Sequence, residues 1–438
     1  MTSASLTGSG ETTLELIRLF VLLVGATALV TLLARRINLP YTVALVAFGI
    51  AVGAFSGPLR VEITPQLVLV VLLPALIFEA SYQTDFGKLR PSLIGVTLLA
   101  GPGVLVSASL VAIALHLGAG MALPQAFVVG AMLSATDPAA VIATFKRLRS
   151  PRRLATLIEA ESVFNDGTGI VVFALAVDFV SRPIGPAEVA LTFVWVTFAS
   201  TVLGAVTGYV ASRILPTVGD HLIEISLSVV LAYGTYLAAD AFHLSGVIAT
   251  AVAGVVLGSY GRPNGLSART EEALDTVWEF VAFLATAFVF LVVGFAISVR
   301  ALADVAIPIV WAFAAALSAR AIIVYGMLGA WRLVVGRLAA AKSPGRPATD
   351  RDEIPLPRDW LHVVFWSGLR GAVSTALALS LPLDFPNRPA MQGITFGVVL
   401  LTLLLQATTA ELVVARWGSD RPGAQGEEQA AIGSGSAP

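Results

Sequence analysis

Two apolar stretches of the chain carry acidic and hydroxyl side chains at their centres. The first contains SATDP at 134–138, and the second contains EAESVFND at 159–166. Asp137 and Asp166 each lie about twelve or thirteen residues from the start of their stretch. Ser162 is four residues before Asp166 and shares its face of a helix. Oxygen-only ligands of this kind suit a hard monovalent cation, which they would hold in place of its hydration shell.

The same carboxylates could also carry protons. Burial in an apolar medium disfavours the charged form of a carboxyl group, and a bound cation favours it. One carboxyl group therefore holds either a proton or a cation, but not both, and this competition is sufficient to couple the two movements in opposite directions. Thr136 lies where Pro138 interrupts its stretch, so unpaired backbone carbonyls there could add ligands.

Other charged residues in apolar stretches have structural readings as well. Asp137 and Asp166 could each merely pair with an intramembrane arginine, but the site role is the favoured reading for both. For Glu161 a fixed salt bridge to one of the deep arginines, Arg320 or Arg370, is favoured. A charge at bilayer depth costs about 2.5–3.5 kcal/mol on insertion scales, so each needs a partner or a function.

Two further glutamates lie nearer the ends of their stretches. Glu159 either lines an entrance to the site or extends to the water interface. Glu79 is either a site residue or an interfacial charge, and the pattern does not decide between them.

Several classes of function are disfavoured by what the chain lacks. It has no cysteine, and its four histidines are scattered without HExxH or paired spacing, so a metalloenzyme has no ligand set and no cofactor is expected. A net charge of −1 gives no electrostatic footprint for nucleic acid.

Composition places the chain in a membrane. Its 438 residues are 57% hydrophobic and only 13% charged, with a mean hydropathy of +0.86. A bilayer core needs roughly 20 apolar residues per helix. Thirteen stretches qualify, with twelve as the alternative count because the second and third are short. They are 14–34, 41–57, 65–80, 92–117, 124–145, 154–180, 187–215, 222–239, 244–260, 277–299, 305–333, 360–381 and 391–415.

The basic residues predict an orientation. Of 27 Lys and Arg residues, 20 lie at the ends of odd-numbered spans, in the loops after them or in the C-terminal tail, and four lie on the other side. The positive-inside rule then places the N-terminus outside and the C-terminus in the cytoplasm. Residues 1–13 are predicted to form an external tail, 336–358 a cytoplasmic loop and 418–438 a disordered cytoplasmic tail.

Thirteen spans divide as six, one and six, and an odd linker helix inverts the second six-helix unit relative to the first. The fifth span of each unit is interrupted, by SATDP in span five and by SGLRG at 367–371 in span twelve. Paired interruptions at corresponding positions of inverted repeats indicate an ion site near the bilayer midplane. The predicted fold class is therefore an all-α polytopic membrane protein with two discontinuous helices.

The sequence resembles the monovalent cation/proton antiporters, in the branch that holds prokaryotic NhaP-type proteins and eukaryotic Na⁺/H⁺ exchangers. The combination of ATDP and ESxxND in adjacent spans with a distant GLRGAVS is specific. The segments that carry the resemblance are LLPALIFEASYQTDF (72–86), GAMLSATDPAAVIATFKRL (130–148), EAESVFNDGTGIVVF (159–173), FVFLVVGF (288–295) and WSGLRGAVSTALALSLP (366–382).

The resemblance implies thirteen helices, inverted repeats with crossing broken helices, and a homodimer with an elevator-like core domain. The transmembrane domain would cover 1–417. Its core would take about 92–180 and 305–415, and its dimerisation domain about 14–80 and 187–299. The transported ions would be monovalent cations and protons.

The resemblance also assigns site roles. Asp166 is implied as the essential ion-binding and proton-carrying residue, with Asp137, Thr136 and Ser162 completing a site for Na⁺, K⁺ or Li⁺. Glu79 is implied to reach the ion directly or through water.

Supporting roles are implied for four more residues. Glu161 would pair with Arg320, and Arg370 would compensate half-helix ends in span twelve. The Asn165-Asp166 pair implies electroneutral exchange of one cation per proton. Ala160 departs from the glycine that the family often has there, which removes no ligand.

Three other functions compete with cation/proton exchange. A passive cation channel could use the same carboxylates, but no filter-like run is present. A carrier of organic or anionic solutes would need a positive centre, whereas central acids outnumber Arg320 and Arg370. An intramembrane enzyme lacks a nucleophile or metal constellation. A bacterial inner membrane is the expected location.

Overall fold

A computed structural model describes most of the chain and shows helices only. The described residues are 4–37, 39–56, 67–84, 87, 93–148, 150–181, 185–263, 266–296, 299–334 and 356–418. No strand occurs among them. The predicted disordered tail beyond residue 418 and most of the predicted 336–358 loop lie outside these residues.

Sixteen helices follow one another along the described residues. The first eight are α1 (Ala4–Arg36), α2 (Tyr41–Ser56), α3 (Leu67–Tyr82), α4 (Leu93–Ala119), α5 (Leu123–Met132), α6 (Ala139–Leu148), α7 (Arg152–Ser181) and α8 (Pro186–Ile214). The others are α9 (His221–Ala241), α10 (Gly246–Gly261), α11 (Ala268–Ala296), α12 (Val299–Asp304), α13 (Ala306–Val334), α14 (Arg358–Trp366), α15 (Ala372–Leu379) and α16 (Arg388–Trp417).

Seven of these helices are long and apolar enough to cross a membrane, namely α4, α7, α8, α9, α11, α13 and α16. Shorter apolar helices are found in α2, α3, α5 and α10. Each predicted span coincides with one helix or with a pair of helices, and the count of thirteen spans stays a prediction.

The N-terminal prediction was wrong in one respect. Residues 4–13, assigned to an external tail, are the first turns of α1. Their serines, threonines and glycines are poor helix formers, but no proline interrupts them. A helix can therefore extend beyond the apolar stretch that defines the predicted span.

Three helical paths are interrupted near Gly and Pro residues. The span predicted at 124–145 is two short helices, α5 and α6, with residues 133–138 between them. The span predicted at 360–381 is α14 and α15 with a non-helical segment at 367–371. A third interruption, at Gly101-Pro102 within α4, was not predicted. Proline has no N–H for the helical ladder, which accounts for the breaks at Pro102 and Pro138, and the two glycines of SGLRG weaken the helix at 367–371.

Two sets of helices make most of the packing contacts. In the first, α4 packs on α5, α7 and α13, and α16 packs on α6, α13, α14 and α15. In the second, α11 packs on α2 and α3, and α10 packs on α3, α8 and α9. Small residues allow close backbone approach within these sets, since a Cβ on Gly49 of α2 would lie 2.6 Å from the Leu291 carbonyl oxygen of α11.

The two sets meet along α3, α7, α11 and α15. The breaks at 133–138 and 367–371 both belong to the first set, and α7 lies beside the break between α5 and α6. The central acidic residues are therefore placed where the two sets face each other.

Candidate cation site

The two helix breaks pair directly with each other. The Asp137 backbone N–H donates to the Leu369 carbonyl oxygen at 2.9 Å, and the Ser374 hydroxyl donates to the Ala135 carbonyl oxygen at 3.3 Å. Gly371 permits this approach, because a Cβ at that position would overlap the Asp137 carboxylate. Backbone groups freed by one break are thus partly satisfied by the other, as a membrane interior requires.

Asp137 lies at the start of two short helices. Its Oδ1 accepts from the Ala139 backbone N–H at 3.0 Å, and its Oδ2 accepts from the Ala372 backbone N–H at 3.3 Å. These donors open α6 and α15. Helix N-termini carry partial positive charge, so this position stabilises a carboxylate.

Asp166 and Ser162 project from α7 on the face that meets the first break. The Ser162 hydroxyl donates to the Thr136 carbonyl oxygen at 2.5 Å, so its lone pairs remain able to coordinate a cation. Asp166 Oδ1 is a buried oxygen with no hydrogen-bond partner. A buried acceptor without a partner is costly unless a proton, water or cation satisfies it.

A cavity of about 960 Å³ leads to these side chains from one face of the molecule. Asp137, Ser162 and Asp166 line it, and Arg147 and Glu411, each about half exposed, lie at its mouth. Arg147 Nη2 and Glu411 Oε2 are 2.5 Å apart and link α6 to α16. The cavity therefore gives water and ions a route to the Asp166 side chain.

Glu161 is held in a buried ion pair. Arg320 of α13 donates from Nη1 and Nη2 to the two Glu161 carboxylate oxygens at 2.8 and 2.9 Å. The Arg320 Nη2 group also donates to the Val364 carbonyl oxygen of α14 at 2.8 Å. This is the pair that the resemblance implied, and its bidentate geometry is the strong form of the interaction.

Asn165 and Thr136 extend this buried network. The Asn165 amide donates to Glu161 Oε1 at 3.1 Å and to the Thr136 hydroxyl at 3.2 Å. Asn165 Oδ1 is buried without a partner. Thr136 does not line the cavity, and its hydroxyl lies 3.5 Å from Glu161 Oε1, so a role for it as a cation ligand stays a prediction.

Arg370 acts on a different helix from the one predicted. Its Nη1 group donates to the carbonyl oxygens of Ser134 and Ala135 at 2.7 and 3.0 Å, just after the end of α5. The expectation that it compensates helix ends within span twelve was wrong, because the two breaks are adjacent and the long side chain reaches across. Positive charge at the C-terminal end of α5 complements its dipole.

The remaining predicted residues line the cavity. Glu79 of α3 and Glu159 of α7 both contribute to its wall, and the Gln83 amide donates to Glu79 Oε1 at 2.5 Å. The structure thus brings Asp137, Ser162 and Asp166 together with both glutamates around one space, while the Glu161–Arg320 network lies outside its lining.

Glu279 and Tyr41 are among the cavity residues that the sequence reasoning missed. Glu279 of α11 and Tyr41 of α2 line the wall that faces the site. Glu279 is an acidic residue just inside a predicted span, and a charge at that place could have identified it as a site residue. Tyr41 begins an apolar stretch and carries no comparable signal.

The ligand set favours an alkali cation over a transition metal. No group of three or more His, Cys, Asp or Glu side chains that could hold a metal ion occurs in the described part of the chain. The two carboxylates, the Ser162 hydroxyl and nearby carbonyl oxygens are hard ligands of low total charge, which suits a monovalent cation.

Comparison with protein families matches residues 21–416 to the transmembrane model of the sodium/hydrogen exchangers. That match contains every residue of the site described above.

Among similar characterised proteins is the Na⁺/H⁺ antiporter ApNhaP of Aphanothece halophytica, which is 36% identical over 386 residues. This alignment covers 87% of the chain and 70% of ApNhaP. The Na⁺/H⁺ antiporter NhaH of Halobacillus aidingensis is 33% identical over 411 residues, covering 91% of the chain and 96% of NhaH.

Among solved structures, the sodium proton antiporter MjNhaP1 of Methanocaldococcus jannaschii has a similar fold. The TM-score is 0.74 at 19% sequence identity, over 93% of this chain and all of MjNhaP1. This likeness concerns the fold alone.

Proposed function

The chain belongs to the sodium/hydrogen exchanger family, and we infer that it is a secondary active transporter that exchanges Na⁺ for H⁺, with Li⁺ or K⁺ as alternative cations. Its family is one of multi-pass membrane transporters rather than of enzymes. The observation that carries the proposal is the buried Asp166 Oδ1 without a hydrogen-bond partner, on a side chain that lines the same cavity as Asp137.

The exchange would follow from competition at these carboxylates. A cation that enters the cavity meets Asp166 and Ser162, with Asp137 held beside them by the helix starts of α6 and α15. Its binding displaces a proton, and a proton returning on the other side displaces the cation. Glu161 cannot take part while both its oxygens are held by Arg320, so it supports the site without titrating.

One proton would exchange for one cation. Asn165 stands next to Asp166 and is neutral at every pH, so it adds no second titrating group at that position. The transport cycle would then move no net charge. The alternative of a passive cation channel predicts the opposite, because uncoupled cation flow is always electrogenic.

Alternating access would involve the two packed sets of helices. We assign the set that carries the breaks at 133–138 and 367–371 to the predicted core at 92–180 and 305–415, and the other set to the predicted dimerisation domain at 14–80 and 187–299. Elevator-like movement of the core within a homodimer would carry the site from one face to the other. This proposal rests on the resemblance and on the packing division.

The chain would reside in the plasma membrane with its N-terminus outside and its C-terminus in the cytoplasm. The asymmetry of Lys and Arg supports this orientation.

The test is cation-driven collapse of a preset pH gradient in proteoliposomes, with NaCl, LiCl, KCl and choline chloride compared across pH 6 to 9. We expect collapse with Na⁺, or with another alkali cation, but not with choline. Asp166→Asn should abolish it, because an amide cannot exchange a proton for a cation. Clamping the membrane potential should leave the rate of an electroneutral exchanger unchanged.

Asp178→Asn is the matched control, since Asp178 lies on the same helix but is exposed and does not line the cavity. It should transport as the unsubstituted protein does. Absence of collapse with every cation would overturn the proposal. Equal activity of the two variants would exclude Asp166 as the coupling residue, and persistent cation leakage in Asp166→Asn would favour the channel alternative.

A further inference from the structure

A second cavity, of about 450 Å³, lies between the end of α13 and the start of α14. It is far in sequence from the carboxylates of the cation site and shares no lining residue with the first cavity. The side chains and backbone that line it include Tyr325, Gly329, Arg332, Arg358, Leu361 and His362.

Among the residues that the structure describes, the lining is basic and contains no acidic residue. Arg332 Nε is buried with no hydrogen-bond partner, although the rest of its side chain is partly exposed. Arg358 lies across the cavity at the first residue of α14. Two guanidinium groups that face one space repel each other. An anion between them would offset this electrostatic repulsion and would accept hydrogen bonds from both groups.

His362 completes the polar part of the cavity. Its Nδ1 is 2.9 Å from the Tyr325 hydroxyl, which fixes the imidazole ring against α13. This contact leaves the other ring nitrogen as a further hydrogen-bonding group of the same small space.

The surroundings are those of a membrane–water interface. The rings of Tyr325 and Trp417 lie 5.7 and 5.2 Å from the His362 ring, Phe365 lies 5.6 Å from Tyr325, and Arg416 stacks on Trp417. Tyrosine and tryptophan with nearby arginines mark the depth of lipid headgroups. Leu333, at the rim of the cavity, is 51% exposed and provides an apolar surface for acyl chains.

We propose that this cavity binds the phosphodiester headgroup of an anionic membrane lipid. Arg332 and Arg358 donate to the phosphate oxygens, and the lipid tails lie on the exposed apolar side of α13. Basic pockets between membrane helices are suited to such headgroups. The proposal is independent of transport activity, because no residue of the cavity touches the cation site.

The test is native mass spectrometry of the detergent-solubilised full chain, titrated with dioctanoyl phosphatidylglycerol or dioctanoyl phosphatidylcholine. Each basic residue near anionic lipid contributes about a fivefold change in affinity. Arg332→Gln with Arg358→Gln should therefore weaken phosphatidylglycerol binding by about 25-fold. Phosphatidylcholine, which has no net charge, should bind weakly to both proteins.

The matched control replaces two exposed arginines outside the cavity, Arg213→Gln with Arg269→Gln. It should keep its phosphatidylglycerol affinity within about twofold. An equal loss in both double variants would overturn the proposal, since it would reflect net charge only. Binding of phosphatidylglycerol no tighter than that of phosphatidylcholine would also overturn it.

A competition measurement with inorganic phosphate and a single-residue variant complete the test. Inorganic phosphate that displaces the lipid at equal concentration would identify a free anion as the ligand and contradict the lipid proposal. If the double variant fails to fold, Arg358→Gln alone remains usable, because Arg358 is exposed. It should weaken phosphatidylglycerol binding about fivefold, and unchanged binding would contradict the proposal.

Discussion

At the scale of single residues, α7 carries two carboxylates with opposite fates. Glu161 and Asp166 are five residues apart, so they point about 140° apart around the helix. Glu161 faces Arg320 and has both oxygens satisfied, whereas Asp166 has a buried oxygen without a partner and faces the cavity. A site that exchanges protons for cations needs a carboxyl group with an unpartnered oxygen, such as that of Asp166. A fixed support for the broken helices needs a fully paired one such as that of Glu161.

The Glu161–Arg320 pair should be essential for stability. Glu161→Gln leaves the buried Arg320 guanidinium without its carboxylate, which costs about 3–5 kcal/mol for pairs of this kind. We expect the variant to unfold at a markedly lower SDS fraction in mixed micelles. Glu272→Gln, at an exposed position on α11, is the control and should unfold as the unsubstituted protein does. Equal stability of the two variants would contradict a structural role for the pair.

The sequence predicts which residues form the site better than it predicts the contacts that these residues make. Asp137, Ser162 and Asp166 could be chosen because charges and hydroxyls at mid-span are costly and few. The contact between Arg370 and the end of α5 could not be predicted, because it depends on which helix ends lie within the length of an arginine side chain. The involvement of Thr136 in the Glu161 network depends on its χ1 rotamer, which spacing does not determine.

At the scale of elements, the two breaks act as one unit. Residues 133–138 and 367–371 are separated by more than 200 positions, yet they exchange a backbone hydrogen bond and place Asp137 at two helix starts. Pro138 and the glycines of SGLRG predict each interruption. They do not predict the pairing, which follows from the packing of α5, α7 and α15. The break at Gly101-Pro102 was missed because apolar residues surround it on both sides.

A substitution at Gly371 tests the pairing of the two breaks. Gly371→Ala adds a Cβ where the Asp137 carboxylate now lies, so either the carboxylate or the break must move. We expect loss of most transport activity in proteoliposomes with the folded protein still recovered in detergent.

The control for this substitution is Gly234→Ala on α9. The nearest atom to a Cβ there, Val230 Cγ1, is at an ordinary contact distance of 3.8 Å. Its activity should be unchanged. Full activity of Gly371→Ala would show that close contact between the breaks is not needed for exchange.

At the scale of the whole molecule, the cavity and the charge asymmetry point to the same face. The mouth residues Arg147 and Glu411 lie at the ends of spans five and thirteen, which the positive-inside rule assigns to the cytoplasm. The structure would then be open to the cytoplasm. Composition predicts the membrane and the charge count predicts the orientation, but neither predicts which face the cavity opens to.

Cysteine labelling tests this orientation, because the chain has no cysteine of its own. Ala143 is exposed and lines the cavity, and Leu123, 48% exposed, begins α5 at the opposite end of the same span. A membrane-impermeant maleimide should label Ala143→Cys in inverted vesicles only, and Leu123→Cys in right-side-out vesicles only. The reverse pattern would contradict the predicted topology.

The central claim is that a cation and a proton compete for Asp166, and proton release on cation binding tests it most directly. Na⁺ added to the purified protein in weakly buffered detergent solution should acidify the medium, by up to one proton per bound cation. Asp166→Asn should release none, and Asp178→Asn should behave as the unsubstituted protein. Na⁺ binding without proton release at any pH from 6 to 9 would contradict the account.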